Sequence, residues 1–206
     1  MEFFDITLEI EEGMVVYPGI PRPEIERYRK LPADSTTESR IALGSHTGTH
    51  VDAPQHVFED GDSVAEMDLE SFAGEAQVLD LVDCKKSVER RDLENRQINA
   101  EIVLLKTDNS NHGYTEFRED FTFLELSGVK YLVDQGVETV CIDYLSLVEF
   151  DGGEEASEVH RLANREMTVI EGVDLRGVEP GIYIFYGFPL KLDADGAPLR
   201  AVLERV

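Results

Sequence analysis

The chain predicts an α/β domain built on a mixed sheet, with extra strands toward both ends of the sequence. Strand-like and helix-like patterns alternate through its middle, while the first 58 residues and the C-terminus are mostly strand-like. A length of 206 residues with 42% hydrophobic content suits a single domain, residues 1–206, with a sizeable core. No internal repeat, low-complexity tract or Pro/Gly/Ser linker divides it.

Phe4 to Ile10 alternates apolar and polar residues, the pattern of a half-buried strand, and Gly13 ends it. Met14 to Tyr17 reads as a short strand running into the Pro18-Gly19 turn. Segments 24–30 and 39–44 look extended. Ser63 to Phe72 carries Val64, Met67, Leu69 and Phe72 at helical spacing, with Asp62 or Ser63 as a cap. Next come a strand at Ala76–Val82, a polar helix around Ser87–Asn95 and a strand at Glu101–Lys106. Phe123 to Gln135 reads as a helix stopped by Gly136. Thr139–Asp143 is a strand, Ser157–Arg165 a helix, and strands follow at Met167–Ile170, Ile182–Tyr186 and Leu199–Leu203.

The formal charge is −24. A field of that sign repels nucleic-acid phosphate and anionic membrane surfaces, so neither is expected as a partner. The acids are spread along the chain, and lysine (six) is scarce beside arginine (thirteen), which fits either a salt-adapted cytoplasm or an ordinary acidic protein. No apolar run reaches the roughly 18 residues of a spanning helix, and the N-terminus lacks the basic and apolar regions of a secretory signal. Cys84 and Cys141 do not suggest a disulfide framework, and Cys141 sits in an apolar, strand-like run. A cytoplasmic protein is expected.

The most informative segment is Ser45-His-Thr-Gly-Thr-His-Val-Asp-Ala-Pro-Gln-His56, which holds three of the five histidines. His46, His50, Asp52 and His56 all fall on even positions, so extended backbone would aim them to one side. The β-branched Thr47, Thr49 and Val51 favour strand, and Pro54 should end it, leaving His56 on the following turn. Imidazole and carboxylate suit Zn²⁺ and its first-row neighbours. His46, His50 and Asp52 would suffice for one metal; two metals need more ligands, for which His160 and Glu171 are the candidates. His112 lies in a polar stretch and reads as a loop residue.

The run His-x-Gly-Thr-His-x-Asp-x-Pro-x-His resembles the signature of the cyclase family of metal-dependent hydrolases, which includes bacterial kynurenine formamidases and isatin hydrolases. Weaker similarities follow in the same order at Phe58–Ser63, Leu69–Gly74 leading into Val78–Asp80, Leu104–Thr107, Gly136–Asp143 with Ser146, Ile170–Leu175, and Pro189–Leu192 with Asp195–Ala201. The resemblance implies a swivelling β/β/α cyclase-like fold, usually in homodimers or larger assemblies. It implies one metal on His46, His50 and Asp52, and a second shared by Asp52 and His160, with Glu171 touching both or either. His56 matches the family's catalytic acid/base. The implied cofactor is Zn²⁺, one or two ions per subunit, with Mn²⁺ suited where carboxylates dominate. Two departures touch the pocket rather than the ligands: Tyr17 stands where formamidases generally carry tryptophan, and Ser146-Leu-Val148 replaces Ser-Val-Asp.

The expected activity is hydrolysis of a C–N amide bond in a small molecule, of the arylformamidase type. The alternative within enzymes is ring opening of an isatin-like lactam or lactone, kept open by Tyr17, which still offers an aromatic face for stacking. The alternative outside enzymes is a metal-binding protein without turnover, against which His56 and the cysteine-free ligand set both speak.

Overall fold

In the computed structural model, which describes residues 1–206, the middle of the chain lays down a parallel core. The elements in chain order are β1 (Phe3–Asp5), β2 (Glu24–Arg29), β3 (Glu38–Ala42), β4 (His50–Asp52), β5 (Ala73–Leu81) and β6 (Ser87–Val88). Then come α1 (Arg90–Leu93), β7 (Ile102–Thr107), β8 (Phe123–Leu124), α2 (Leu126–Asp134), β9 (Thr139–Ile142), α3 (Gly153–Glu166) and β10 (Thr168–Glu171). β11 (Gly181–Tyr186), β12 (Gly196–Pro198) and β13 (Val202–Arg205) complete the chain. Nine strands form one sheet in the order β1-β13-β11-β5-β7-β9-β10-β4-β12. The four central strands run parallel, and antiparallel strands flank them on both sides. This is the expected mixed α/β sheet with strands added from both chain ends.

Both faces of the parallel strands are buried, which is why they read as nearly continuous apolar runs. Leu79, Leu81, Val103, Leu105, Val140, Ile142 and Val169 pack on one face with Val129, Leu132, Val159 and Ala163 from α2 and α3. The alternating residues Val78, Leu104, Cys141 and Ile170 pack on the other, with Val51 from β4, Ala197 from β12, Phe185 from β11 and Leu203 from β13. Strands from opposite ends of the sheet therefore meet in one cluster, so the sheet is curled. Each fully buried leucine contributes about 1.5–3 kcal/mol. Helices cover one face and curled strands the other, in agreement with a β/β/α arrangement.

Several elements differ from expectation, each because the backbone found another partner. The Ser63–Phe72 segment is not one helix but two 3₁₀ turns, Val64–Glu66 and Leu69–Phe72, with Met67 and Asp68 extended between them. Its amides Val64 N–H and Ala65 N–H donate to Ala194 and Leu192 carbonyls instead of continuing a helix. The expected polar helix at Ser87–Asn95 shrinks to the single turn α1, because Ser87 and Val88 pair with Phe123 and Leu124. The same pairing delays α2 to Leu126; Gly136 stops it at φ +78° as expected. Beyond Asp5 the first strand leaves β13 and bridges Thr7 to Val173. Met14–Tyr17 forms no strand, and its side chains pack toward Phe121 and Tyr144. Leu199–Leu203 is strand only from Val202, where β13 begins and pairs with β11; Leu199 makes a single bridge to Pro189, and the residues just before it form β12, which pairs with β4. No helix is long and apolar enough to cross a membrane.

Candidate metal centre

Only His50 to Asp52 of the histidine-rich segment is strand, so alternation brings His50 and Asp52 to one face as expected but does not carry His46 or His56. β4 lies between β10 and β12, which places His50 opposite Glu171 and Asp52 opposite Gly196. His46 precedes the strand in an irregular turn and folds back over it. Its Nδ1 lies 2.8 Å from Asp52 Oδ1. His56 closes the 3₁₀ turn Pro54–His56, on the turn expected after Pro54. His160 reaches in from α3, with Nε2 2.8 Å from Asp52 Oδ2. Glu171 ends β10, where a parallel strand delivers its last side chain to the crevice beyond the sheet.

The structure thus brings together all five residues considered as ligands, and His56 with them. Two groups have ligand atoms within 4.8 Å of one another: His50, Asp52 and Glu171, all buried, and His46, Asp52 and His56. Asp52 is common to both. The second group contains His56 rather than His160, so proximity alone does not separate an acid/base from a ligand there. His112 stays outside, on the surface, with Nε2 3.2 Å from Asp108.

The unpaired atoms of the donor set show whether it suits a cation. His50 Nδ1–H donates to the Gly48 carbonyl at 3.0 Å, which leaves Nε2 as the bare nitrogen. That Nε2 is one of three buried side-chain polar atoms without a hydrogen-bond partner. It faces Asp52 Oδ1 at 3.4 Å and Glu171 Oε2 at 3.5 Å. A nitrogen lone pair converging on two buried carboxylates is unfavourable unless a positive charge sits among them. The residues present therefore fit a divalent metal, with a mixed imidazole and carboxylate set of the kind Zn²⁺ accepts.

The electrostatics agree. Burial works against the Asp52 charge, but the neighbouring His160, His46 and His50 imidazoles hold its carboxyl well below the ordinary range. Burial, reinforced by the negative charge on Asp52, pushes Glu171 well above it, even though Leu147 N–H donates to Oε1 at 2.6 Å. One carboxylate is thus ionised and the other favours its proton until a cation is added. Burial disfavours a charge on His46, yet Asp52 and Asp195 outweigh it and raise the imidazole to about 9. His56 moves the other way: burial lowers it from its ordinary value, and the attraction of Asp52 does not compensate.

The cluster opens into a cleft of about 310 Å³, walled by Tyr17, Pro18 and Ile20 on one side and Leu145, Ser146 and Val148 on the other. Phe117 and Phe150 meet the Tyr17 ring edge-on, with centroids 5.2 and 5.8 Å away, and so hold it in place at the mouth. A larger cleft of about 540 Å³ lies at the other ends of β5, β7 and β9, lined by Glu70, Glu75, Glu101 and Glu138, and receives none of these histidines. Sequence reasoning missed Asp195, whose Oδ2 is 3.0 Å from His46 Nε2 and 3.5 Å from His56 Nδ1. Its signal was its place at the head of the family-like stretch Asp195–Ala201, far from the histidine motif, which gave it no role by itself.

A curled mixed sheet with a buried imidazole and carboxylate cluster at the end of its parallel strands defines a protein built to hold a metal beside a small-molecule cleft. A family model described as "Putative cyclase" matches residues 4–147, and the chain belongs to that family. It is 31% identical over 209 residues to a kynurenine formamidase of Bacillus cereus, covering 100% of this chain and 98% of the relative. A solved structure described as a "potential metal-dependent hydrolase with cyclase activity" superimposes with a TM-score of 0.84 at 31% identity, over 100% of this chain and 98% of the other. Isatin hydrolase A of Labrenzia aggregata shares the fold, with a TM-score of 0.81 at 18% identity over 98% and 93% of the two chains.

Proposed function

We propose that this protein is a metal-dependent amide hydrolase of the arylformamidase type, converting N-formyl-kynurenine to kynurenine and formate, with the whole chain acting as one domain. The observation that carries the reading is the bare, buried Nε2 of His50 converging with Asp52 and Glu171 at the floor of an aromatic-mouthed cleft. Full-length similarity to a kynurenine formamidase supports the substrate class.

His46, His50 and Asp52 would hold one Zn²⁺ and Asp52, His160 and Glu171 a second, Glu171 being also within reach of His50. The metal would supply a lowered pKa for water and polarisation of the substrate carbonyl at neutral pH. His56, whose lowered pKa keeps it neutral near pH 7, accepts a proton from the attacking water at an imidazole nitrogen. It then returns that proton to the departing nitrogen, so the aniline leaves neutral and formate remains. Tyr17, with Ile20 and Val148, packs against the aryl ring and excludes bulk water from the reacting carbonyl. Phe188, Leu190 and Leu192 are exposed apolar side chains close together in sequence, which supports assembly of copies, a homodimer or larger.

The test is hydrolysis of N-formyl-kynurenine by Zn²⁺-loaded protein beside EDTA-treated protein and the His56→Ala variant. Turnover that needs metal and falls by about 10²–10⁴-fold in His56→Ala, with metal retained, is the expected outcome. No turnover with metal bound would sink the formamidase assignment. Isatin, other cyclic amides and lactones then follow, because Tyr17 offers the flat face a fused ring would stack on. A protein that binds metal and hydrolyses none of these is the non-catalytic alternative.

A further inference from the structure

We infer that Asp195 is a positioning residue that sets which nitrogens of His46 and His56 face the metal centre and the cleft; this rests on the function proposed above. Asp195 does not line the cleft. It stands behind the histidines, just before β12, and its own carbonyl accepts Ala53 N–H at 3.0 Å, which anchors it to the end of the motif strand. A single carboxylate oxygen, Oδ2, is 3.0 Å from His46 Nε2 and 3.5 Å from His56 Nδ1.

That geometry commits both rings. His46 donates Nε2–H to Asp195, so Nδ1, 2.8 Å from Asp52 Oδ1, is the nitrogen that would give up its proton and coordinate when a metal binds. His56 turns Nδ1 to Asp195, which leaves Nε2 as the nitrogen that can carry a proton to and from substrate. The next residue enforces the contact. Gly196 lies opposite Asp52 in the β4–β12 pairing, and a Cβ there would come within 2.9 Å of His46 Cε1. The backbone of β12 is therefore packed against the ring that Asp195 orients. One short edge strand and the residue just before it, far from the motif in sequence, supply the space and the hydrogen-bond acceptor.

Four variants test this: Asp195→Ala, Asp195→Asn, Gly196→Ala, and Asp193→Ala as an exposed control that removes a nearby charge without touching a histidine. Zn²⁺ affinity is measured by competition with a chromogenic chelator, which needs no substrate, and kcat and KM are measured on N-formyl-kynurenine at saturating metal. Expected is a 10–100-fold loss of metal affinity or kcat in Asp195→Ala, with KM within about twofold of wild type. Asp195→Asn, whose amide oxygen still accepts a hydrogen bond, should recover part of the loss, and Gly196→Ala should weaken metal binding. Asp193→Ala should stay within about twofold of wild type in both readouts. Wild-type metal affinity and kcat in Asp195→Ala would overturn the inference, as would equal losses in Asp193→Ala or a fall in thermal stability alone. If wild-type protein binds Zn²⁺ but hydrolyses no amide, the functional reading fails while the chelator competition still decides the role of Asp195.

Discussion

Gly172→Ala perturbs the candidate centre without altering any side chain that lines it. Gly172 follows Glu171 with φ +73°, and a Cβ built there would lie 2.5 Å from the Gly48 carbonyl oxygen. Real Cβ contacts essentially never fall under 3.0 Å, so the two backbones must part by at least about 0.5 Å. The left-handed conformation costs an L-residue about 1–2 kcal/mol. Overpacking adds about 1–3 kcal/mol, since both segments are pinned by Thr49 Oγ1 donating to the Gly172 carbonyl at 2.6 Å. The total is a loss of about 2–5 kcal/mol. Gly136→Ala is the control: its φ is +78°, but nothing lies within 4 Å of an added Cβ, so only the conformational cost of about 1–2 kcal/mol applies. Urea unfolding of the two variants separates contact from conformation. Because the Gly48 carbonyl also fixes the His50 ring, Gly172→Ala should in addition lower Zn²⁺ affinity roughly tenfold or more, whereas Gly136→Ala should not change it. Equal stability losses in the two variants, or wild-type metal affinity in Gly172→Ala, would refute the reasoning.

Further outcomes follow from buried and titrating groups. With His46 raised to about 9 in the metal-free protein, this group contributes stability that is complete below about 6.5 and lost as pH rises through about 9. Thermal melts of metal-free protein should fall across that window; Zn²⁺ loading within it should release a proton, which calorimetry in two buffers of different ionisation enthalpy detects. Asp143, buried, accepts from Thr107 N–H and Oγ1, Asn109 Nδ2 and Ser110 N–H and Oγ, so Asp143→Ala strands five donors and should cost about 3 kcal/mol or more in urea unfolding. Burial pushes the Cys84 thiol up to about 11 and the Cys141 thiol higher still. Neither should react with a thiol reagent at pH 8 until denaturant is added, and a fast reaction in the native protein would contradict that burial.

Much of the sheet was legible because its strands bury both faces. Ile102–Leu105 within β7 and Val140–Ile142 within β9 are continuous apolar runs of the kind a doubly covered strand requires. The turn before His56 was legible from Pro54, which lacks the donor a sheet requires. Helix-like spacing misled at Ser63–Phe72, where the amides of Val64 and Ala65 are claimed by residues more than a hundred positions away. Periodicity records which side chains are apolar, not which distant carbonyl an amide will find.

The sequence by itself determined the chemistry: histidine and carboxylate donors concentrated in one short segment, within a chain whose pattern specifies a mixed α/β sheet. Only the tertiary structure decided the geometry. His46 and Asp52 meet through an irregular turn rather than strand alternation, His160 arrives on α3, and Glu171 comes from the paired strand β10. Asp195 enters just before β12, nearly a hundred and fifty residues from the histidine it holds. The physical reason is that donor identity is a property of single residues, whereas convergence depends on strand register. Register is set by long-range pairing and the burial of whole faces, and no local pattern encodes it.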